Sequence, residues 1–224
     1  ERITAMVAAE RRFTADAAHE LRTPIAAIGR VLTVITLILD AITFVANAAL
    51  LGINAAMFGM VAHGLITGML FFVAGSVKER YHTLEIKRLG GLLVQAPKMG
   101  WILGFATMAS LGLPGLAGFW GEFPAILASY QPAEGLNVAL FRTFMVVAAL
   151  GTVLAAGYLL WLFQRTAFGT PSEEFADDPH ITDVQPLEWL AWSPFLIAIV
   201  VFGFFPGLMF DVTEKALHFM QLGA

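Results

Sequence analysis

The chain has no cysteine and few charged residues, and these two absences narrow the classes of protein to which it can belong. Without cysteine it cannot form disulfides, hold iron–sulfur clusters through thiolates or attach a c-type haem covalently. Charged residues make up only 13% of the 224 positions and hydrophobic residues 58%, and the mean hydropathy is +0.75. This composition is typical of an integral membrane protein. The net charge of −4 argues against nucleic acid as a partner.

Motifs for binding phosphates, dinucleotides or metals are also missing. The sequence has no glycine-rich phosphate loop and no dinucleotide fingerprint. Its histidines and carboxylates do not cluster at the spacings of metal ligands. We therefore expect no cofactor on this chain and expect any redox chemistry to lie on another chain. The five histidines are scattered along the sequence: His19, His63, His82, His180 and His218.

Long apolar runs predict an all-α integral membrane protein with about five transmembrane helices. A helix needs about 20 mainly apolar residues to cross the hydrocarbon core. The basic connector over residues 76–98 favours the cytoplasmic side by the positive-inside rule. We divide the chain into a charged amphipathic segment, residues 1–30, and a transmembrane domain, residues 31–224. The predicted spans are 31–52, 53–75, 99–130, 137–168 and 186–210, with an inner loop over 169–185 and a short surface helix over 212–224.

The apolar run over residues 99–130 is too long for one straight crossing and contains its own helix breaker. Pro114 removes a backbone donor, and Gly112 and Gly115 tolerate the irregular dihedrals that follow. Inside a bilayer, backbone groups freed by a break need partners in the protein or in a water-filled cavity. The pattern therefore predicts a discontinuous helix beside a polar path, with Glu122 on its second half.

Three of the ionisable residues within predicted spans are considered for a functional role, and each has two interpretations. Glu122 is either a proton carrier or an interfacial glutamate near the outer turn. His63 is either a proton relay or a hydrogen-bonded histidine between packed helices. Asp40 costs roughly 2.5–3.5 kcal/mol at a helix centre, so it either borders a polar path or marks a junction between unrelated segments.

Two groups of residues near span ends are interpreted as surface features. One is a solvated helix end, and the other is a pair of interfacial aromatic anchors at the start of the last span. The solvated end comprises Lys78, Glu79, Arg80 and His82, and the anchors are Trp189 and Trp192.

Residues 11–25, RRFTADAAHELRTPI, resemble the H-box of sensor histidine kinases. The resemblance implies that His19 accepts phosphate, that Glu20 assists proton transfer and that Thr23 assists dephosphorylation. It covers only about thirty positions, and no Asn-box or glycine-rich ATP lid follows. We therefore do not expect autophosphorylation by this chain alone.

From about residue 52 onward the chain resembles the proton-pumping, antiporter-like membrane subunits of respiratory NADH-quinone oxidoreductase, complex I. Several motifs carry this resemblance, and later positions in the next helix agree with it. The GEF sequence favours the M branch of these subunits, because sister subunits generally carry lysine at the position of the glutamate. The motifs are MVAHGLIT at 60–67, ERYHT at 79–83, LGGL at 89–92, SLGLPG at 110–115, GFWGEF at 118–123 and FGFFP at 202–206, with Tyr158, Trp161, Gln164 and Arg165 between the last two.

The resemblance implies a role for two of these residues. Glu122 corresponds to the charged residue at the end of the proton path, and His63 corresponds to a histidine of the polar axis that links the half-channels. It also implies that NADH, FMN, iron–sulfur clusters and quinone are bound by other subunits. Because the resemblance covers only the distal third of such a subunit, no counterpart of the first half-channel is expected here.

The sequence therefore predicts a fragment of a proton-translocating subunit in the bacterial inner membrane, with other complex I membrane subunits and the lipid bilayer as partners. Two alternatives remain open. One is a membrane-anchored histidine phosphotransfer module that uses His19, and the other is a non-catalytic assembly element of a membrane complex. The abrupt change near residue 30 leads us to interpret the chain as two joined segments of different origin.

Overall fold

A computed structural model describes residues 50–130, 132, 135–176 and 178–222, and all regular structure in these ranges is α-helical. This confirms the predicted all-α fold. The predicted phosphoacceptor His19, Asp40 and nearly all of the predicted span 31–52 lie outside the described residues. The helices are α1 (Leu50–Tyr81), α2 (Leu92–Gln95), α3 (Pro97–Ser110), α4 (Ala117–Tyr130), α5 (Val138–Ala167), α6 (Pro186–Phe204) and α7 (Gly207–Leu222).

Three of the described helices are long and apolar enough to cross a membrane, over Leu51–Tyr81, Val138–Ala167 and Pro186–Phe204. Helices α3 and α4 have 14 residues each, fewer than the roughly 20 needed for a crossing. They follow one another across a six-residue interruption, as the predicted discontinuous helix requires. The interrupted pair and the three long helices form the membrane bundle.

Local sequence explains where several helices begin. Pro97 and Pro186 occupy the first helical position of α3 and α6, where the missing N–H of proline costs nothing and its fixed φ suits the helix. Helix α6 has a capping box, in which Glu188 accepts a hydrogen bond from the backbone N–H of Gln185 at 2.8 Å. Asn137 caps α5 by accepting from Leu140 N at 3.1 Å.

Helix α1 lies at the centre of the bundle, because it packs against α3, α4, α6 and α7. Its buried face is lined by Phe58, Met69 and Val73. Backbones approach closely where α1 meets α4: a Cβ added at Gly121 would lie 2.5 Å from the Cα of Gly59. Small residues permit such close packing of membrane helices, so this contact fixes the second half of the broken helix against α1.

Arg80 joins α1 to α6 at one end of the bundle through a buried ion pair. Its Nη1 and Nη2 donate to the two carboxylate oxygens of Glu188 at 2.9 and 2.7 Å. Its Nε donates to the carbonyl of Thr182 at 2.6 Å, and Ser76 Oγ donates to Glu188 at 2.5 Å. The side chain of Arg80 is only 8% exposed. The prediction of a solvated helix end is therefore wrong for Arg80, because a partner 108 residues away replaces its water.

The loop between α5 and α6 is fastened to the same end of the bundle. Asp183 accepts from the backbone N–H groups of Lys98 and Met99, both at 3.1 Å, and so caps the first turn of α3 from a distant part of the chain. Gln95 accepts from the hydroxyl of Tyr81 at 2.8 Å and donates to the carbonyl of Phe175 at 2.6 Å. The segment predicted as an inner loop is a loop in the structure, and these hydrogen bonds attach it to the ends of α1, α2 and α3.

An exposed ion pair lies further out on this loop. Arg88 donates to both carboxylate oxygens of Glu174, and this hydrogen bonding lowers the pKa of the Glu174 carboxyl. Surface pairs of this kind contribute little to stability. We therefore expect the buried pair of Arg80 and Glu188, which joins α1 to α6, to contribute more to stability than this exposed pair.

Several predicted boundaries are wrong. Helix α1 is already helical at Leu50 and continues to Tyr81, whereas the sequence predicted separate spans meeting at 52 and 53 and a connector from 76. The last span ends at Phe204 rather than at 210, and α7 begins at Gly207 rather than at 212. Helix α6 ends earlier than predicted because Pro206 lacks the N–H that would continue it.

Trp192 also departs from its predicted role as an interfacial anchor. Its side chain is 2% exposed and belongs to the hydrophobic core, whereas Trp189 is 38% exposed. The two residues are only three positions apart in the same helix, so their position near the span end does not decide their burial.

We predict that Arg80→Ala lowers the free energy of unfolding of the complete protein by about 3 kcal/mol, because removal of one partner leaves the carboxylate of Glu188 without its counter-charge. Thermal unfolding in detergent measures this change. Lys78→Ala is the matched control, since Lys78 is exposed on the same helix end, and its effect should stay within about 0.5 kcal/mol. Equal losses in the two variants would contradict the structural role of the ion pair.

Candidate functional site

The candidate site is built around the interruption between α3 and α4, which covers residues 111–116. The end of α3 unwinds through three backbone hydrogen bonds of different span: Leu111 N donates to Thr107 O at 3.0 Å, Gly112 N to Ala109 O at 3.2 Å, and Leu113 N to Met108 O at 3.3 Å. The chain then passes Pro114 in a turn and re-enters a helix. This confirms the break predicted from the Gly-Pro sequence.

Glu122 lies in the second turn of α4, with its side chain directed back to the interruption. A Cβ added at Gly112 would lie 2.7 Å from Oε2 of Glu122. Gly112 also has a φ of 66°, in the left-handed region that glycine adopts without strain. Glycine at this position therefore gives both the turn and the space that the carboxylate occupies. Glu122 itself is half-buried.

Buried hydroxyl groups border the same interruption. Tyr158 lies on α5, which packs against both α3 and α4, and its hydroxyl is buried with no hydrogen-bond partner among the described residues. Thr107, whose carbonyl receives the N–H of Leu111, is fully buried, and its Oγ1 also has no partner in the described part of the chain. Buried polar groups without a protein partner are commonly satisfied by ordered water, so each of these two hydroxyls is a position suited to water.

His63 lies on α1 at the level of the bundle at which α4 begins. Gly59 and Ile66, on either side of it in sequence, approach Gly121 and Gly118 of α4. The carbonyl of His63 accepts from Thr67 Oγ1 at 2.6 Å. Over the ranges that the structure describes, no hydrogen bond or ion pair links its ring to Glu122. The two predicted site residues therefore lie on neighbouring helices, and no hydrogen bond or ion pair between them is seen in the described part of the chain.

Sequence reasoning missed the parts of the site that depend on the fold. Tyr158 drew notice only through the family resemblance, and Thr107 was not singled out. The available signal was polarity: both are hydroxyl residues inside otherwise apolar helices. No set of three or more metal-ligating side chains converges in the described ranges.

A carboxylate at a helix interruption, inside a bundle of membrane-length helices, is the arrangement found in polytopic transport proteins with discontinuous helices. Residues 39–157 match the model of the family described as NADH:quinone oxidoreductase/Mrp antiporter, transmembrane. The chain belongs to this family. The match begins at residue 39, earlier than the resemblance at about 52 that the sequence motifs indicated.

Curated relatives of known name agree with this assignment. The chain is 37% identical over 163 residues to NADH-quinone oxidoreductase subunit M of Rhodobacter capsulatus, covering 72% of this chain and 30% of that protein. It is 36% identical over 166 residues to NAD(P)H-quinone oxidoreductase chain 4 1 of Synechococcus sp. (strain JA-2-3B'a(2-13)), covering 70% of this chain and 30% of that protein. The chain thus spans about 30% of the length of the relatives it matches.

Solved structures show the same fold. A chain of respiratory complex I from Thermus thermophilus with bound NADH superposes with a TM-score of 0.65 and 26% identity, covering 86% of this chain and 44% of that one. A chain of the Mrp complex from Dietzia sp. DQ12-45-1b gives a TM-score of 0.61 at 17% identity, covering 75% and 38%, and at this identity the likeness concerns the fold alone. The predicted resemblance to antiporter-like membrane subunits is confirmed.

We predict that Gly112→Ala destabilises the complete protein by about 1–3 kcal/mol, the usual cost of forcing a side chain into a sparsely populated backbone region, with the contact to Glu122 added. Gly75→Ala is the control: Gly75 lies in α1 with open space around it, so alanine there should stabilise the helix by roughly 0.5–1 kcal/mol. Thermal unfolding in detergent measures both changes. A stabilising Gly112→Ala would refute the geometry described for the interruption.

Proposed function

We propose that this chain is part of a proton-translocating membrane subunit of a respiratory NADH–quinone oxidoreductase and that its interrupted helix contributes the proton-exit half-channel. Family membership supports the class of protein, and the names of the relatives support the particular complex. The single observation that carries the proposal is the position of Glu122, whose carboxylate lies against the helix interruption at Gly112.

Glu122 is the proposed proton-exit residue. A carboxyl group can accept a proton from water on one side and release it to water on the other, provided that water reaches it. The interruption supplies backbone groups that lie outside regular helix. Irregular backbone at membrane depth occurs where it is buried in protein or lines a water-filled cavity. The carboxylate and the irregular backbone therefore provide what a half-channel needs at its end.

The hydroxyls of Tyr158 and Thr107 are the proposed neighbours of Glu122 in the path. Each is buried without a protein partner in the described part of the chain, and each can donate to and accept from a bound water. His63 is the proposed link from the neighbouring helix towards the rest of the polar axis. Because no hydrogen bond joins its ring to Glu122 in the described ranges, we expect water to connect them.

The remaining elements of the proposal concern the surroundings of the chain. We place it in the bacterial inner membrane as a multi-pass protein, in contact with lipid and with other membrane subunits of the complex. NADH, FMN, iron–sulfur clusters and quinone would be bound by other subunits. The transmembrane domain of residues 31–224 would do this work, and residues 1–30 would form a separate segment.

We predict that Glu122→Gln, made in the complete protein within its assembled complex, removes most of the proton translocation coupled to quinone reduction. Glutamine preserves the size and the hydrogen-bonding capacity of the side chain but cannot bind and release a proton. Acidification of inverted membrane vesicles, followed with a pH-sensitive dye during NADH oxidation, measures the loss.

Glu79→Gln is the matched control for this experiment, because Glu79 is exposed at the end of α1 and should tolerate the change. An immunoblot for the subunit separates lost function from lost assembly. Normal pumping by Glu122→Gln would defeat the exit role. If pumping were normal but truncation after α5 abolished assembly, a purely structural element of the complex would be the better description.

A second candidate function concerns residues 1–30 and rests on the H-box sequence over 11–25. We predict that His19 is phosphorylated when the chain is incubated with a cognate kinase domain and labelled ATP, and that His19→Gln abolishes the label. His63→Gln should leave the label unchanged. An unlabelled wild-type chain would contradict a phosphotransfer role. Sequencing the genomic locus across residues 25–55 tests the further proposal that two segments of different origin are joined here.

A further inference from the structure

A second helix interruption lies directly against the first. Helix α6 ends at Phe204 and α7 begins at Gly207, so Phe205 and Pro206 separate two helices. The last regular contact of α6 is the bond from Phe205 N to Val201 O at 2.7 Å. The carbonyl of Gly203 takes its hydrogen bond from a side chain of another helix: Trp120 Nε1 donates to it at 2.7 Å.

Backbone atoms at the end of α6 are in contact with the first interruption. A Cβ added at Gly203 would collide with the carbonyl of Gly115 and would lie 2.6 Å from the Cα of Leu116. A Cβ added at Gly115 would in turn lie 3.5 Å from the ring of Phe204. The end of α6 therefore rests on the irregular residues that connect α3 to α4.

Trp120 connects α4 to both sides of the second interruption. Its N–H binds Gly203 at the end of α6, and its ring meets that of Phe210 in α7 edge-on, with centroids 6.2 Å apart. Phe210 also packs against Phe58 of α1, at a centroid distance of 5.1 Å. Trp120 precedes Glu122 by two residues in the first turns of α4. The element that carries the carboxylate is thus held by an oriented hydrogen bond as well as by apolar packing.

We propose that Trp120 is a positioning residue for Glu122: its hydrogen bond to the Gly203 carbonyl fixes α4 in the orientation that directs the carboxylate to Gly112. Close packing of Gly121 on Gly59 holds α4 against α1, and the indole N–H bound to the Gly203 carbonyl adds a directional constraint on the rotation of α4. This role rests on the proposed function of Glu122, since it acts through that carboxylate.

Trp120→Phe in the complete protein within its complex tests the inference. Phenylalanine keeps an aromatic ring beside Phe210 but removes the N–H donor. We expect fewer protons translocated per electron and a shifted pH profile of translocation. Because protons per electron is a ratio, a lower amount of complex does not change it. Trp101→Phe is the matched control, since Trp101 is 68% exposed on α3, and it should keep the wild-type ratio and profile.

The double variant Trp120→Phe with Glu122→Gln decides whether Trp120 acts through Glu122. We expect it to translocate no fewer protons per electron than Glu122→Gln alone, because coupled residues give non-additive effects. Gly203→Ala, which pushes the two interruptions apart, should lower the ratio as Trp120→Phe does, with Gly75→Ala unaffected.

Three results would overturn the inference. An unchanged ratio in Trp120→Phe, with Glu122→Gln impaired, would remove the positioning role and leave the proposed function intact. An additional loss in the double variant would show that Trp120 acts independently of the carboxylate. Normal translocation by Glu122→Gln would end the proposed function and the positioning role together.

Discussion

Backbone groups that a helix interruption frees within a bilayer must find partners inside the protein, and this constraint shapes the centre of the molecule. The end of α3 meets this constraint locally, because the N–H groups of residues 111–113 bond to carbonyls three to five positions earlier. The end of α6 meets this constraint through another helix, because the carbonyl of Gly203 accepts a hydrogen bond from the indole N–H of Trp120 in α4. Each solution also determines what surrounds Glu122, since Gly112 leaves space for its carboxylate and Trp120 holds its helix.

A different kind of interaction secures the other end of the bundle. There the guanidinium of Arg80 forms an ion pair with Glu188 and donates to two carbonyl groups of the loop between α5 and α6. Asp183 caps α3 from that loop. The first half of the broken helix is therefore anchored at its beginning by a capped turn, while the second half is anchored by contacts of α4 with α1 and α6. The interruption lies between two independently fixed half-helices.

The parts of this arrangement that were predictable from sequence are those whose cause is local. Pro114 and the glycines beside it break a helix wherever they occur, so the position of the interruption followed from residues a few positions apart. Arg80 was misjudged because its partner, Glu188, lies far away in sequence and its burial depends on how α1 meets α6. Trp192 was misjudged for the same reason, since a tryptophan near a span end is equally compatible with an interface and with a core.

In the candidate site, too, features with a local cause were predictable from sequence and contacts between distant residues were not. Glu122 was identifiable as a charged residue in an apolar run, and the family motif GEF assigned it a role by resemblance. The contact of Glu122 with Gly112 and the bond from Trp120 to Gly203 each join separate helices or half-helices, and Tyr158 belongs to another helix, α5, that packs against both halves. The residue spacing within one helix cannot predict these contacts, because they form only when the broken helix packs against α5 and α6.

The contact between the two interruptions also limits how a proton could move through this region. Movement of α4 alone would break the bond from Trp120 to Gly203 and the close contact of Gly121 with Gly59. A buried carbonyl that loses its partner costs about 1–3 kcal/mol, whereas rotation of a carboxylate side chain and exchange of a bound water cost much less. If Glu122 carries protons as proposed, we therefore expect its side chain to move while α4 stays in place.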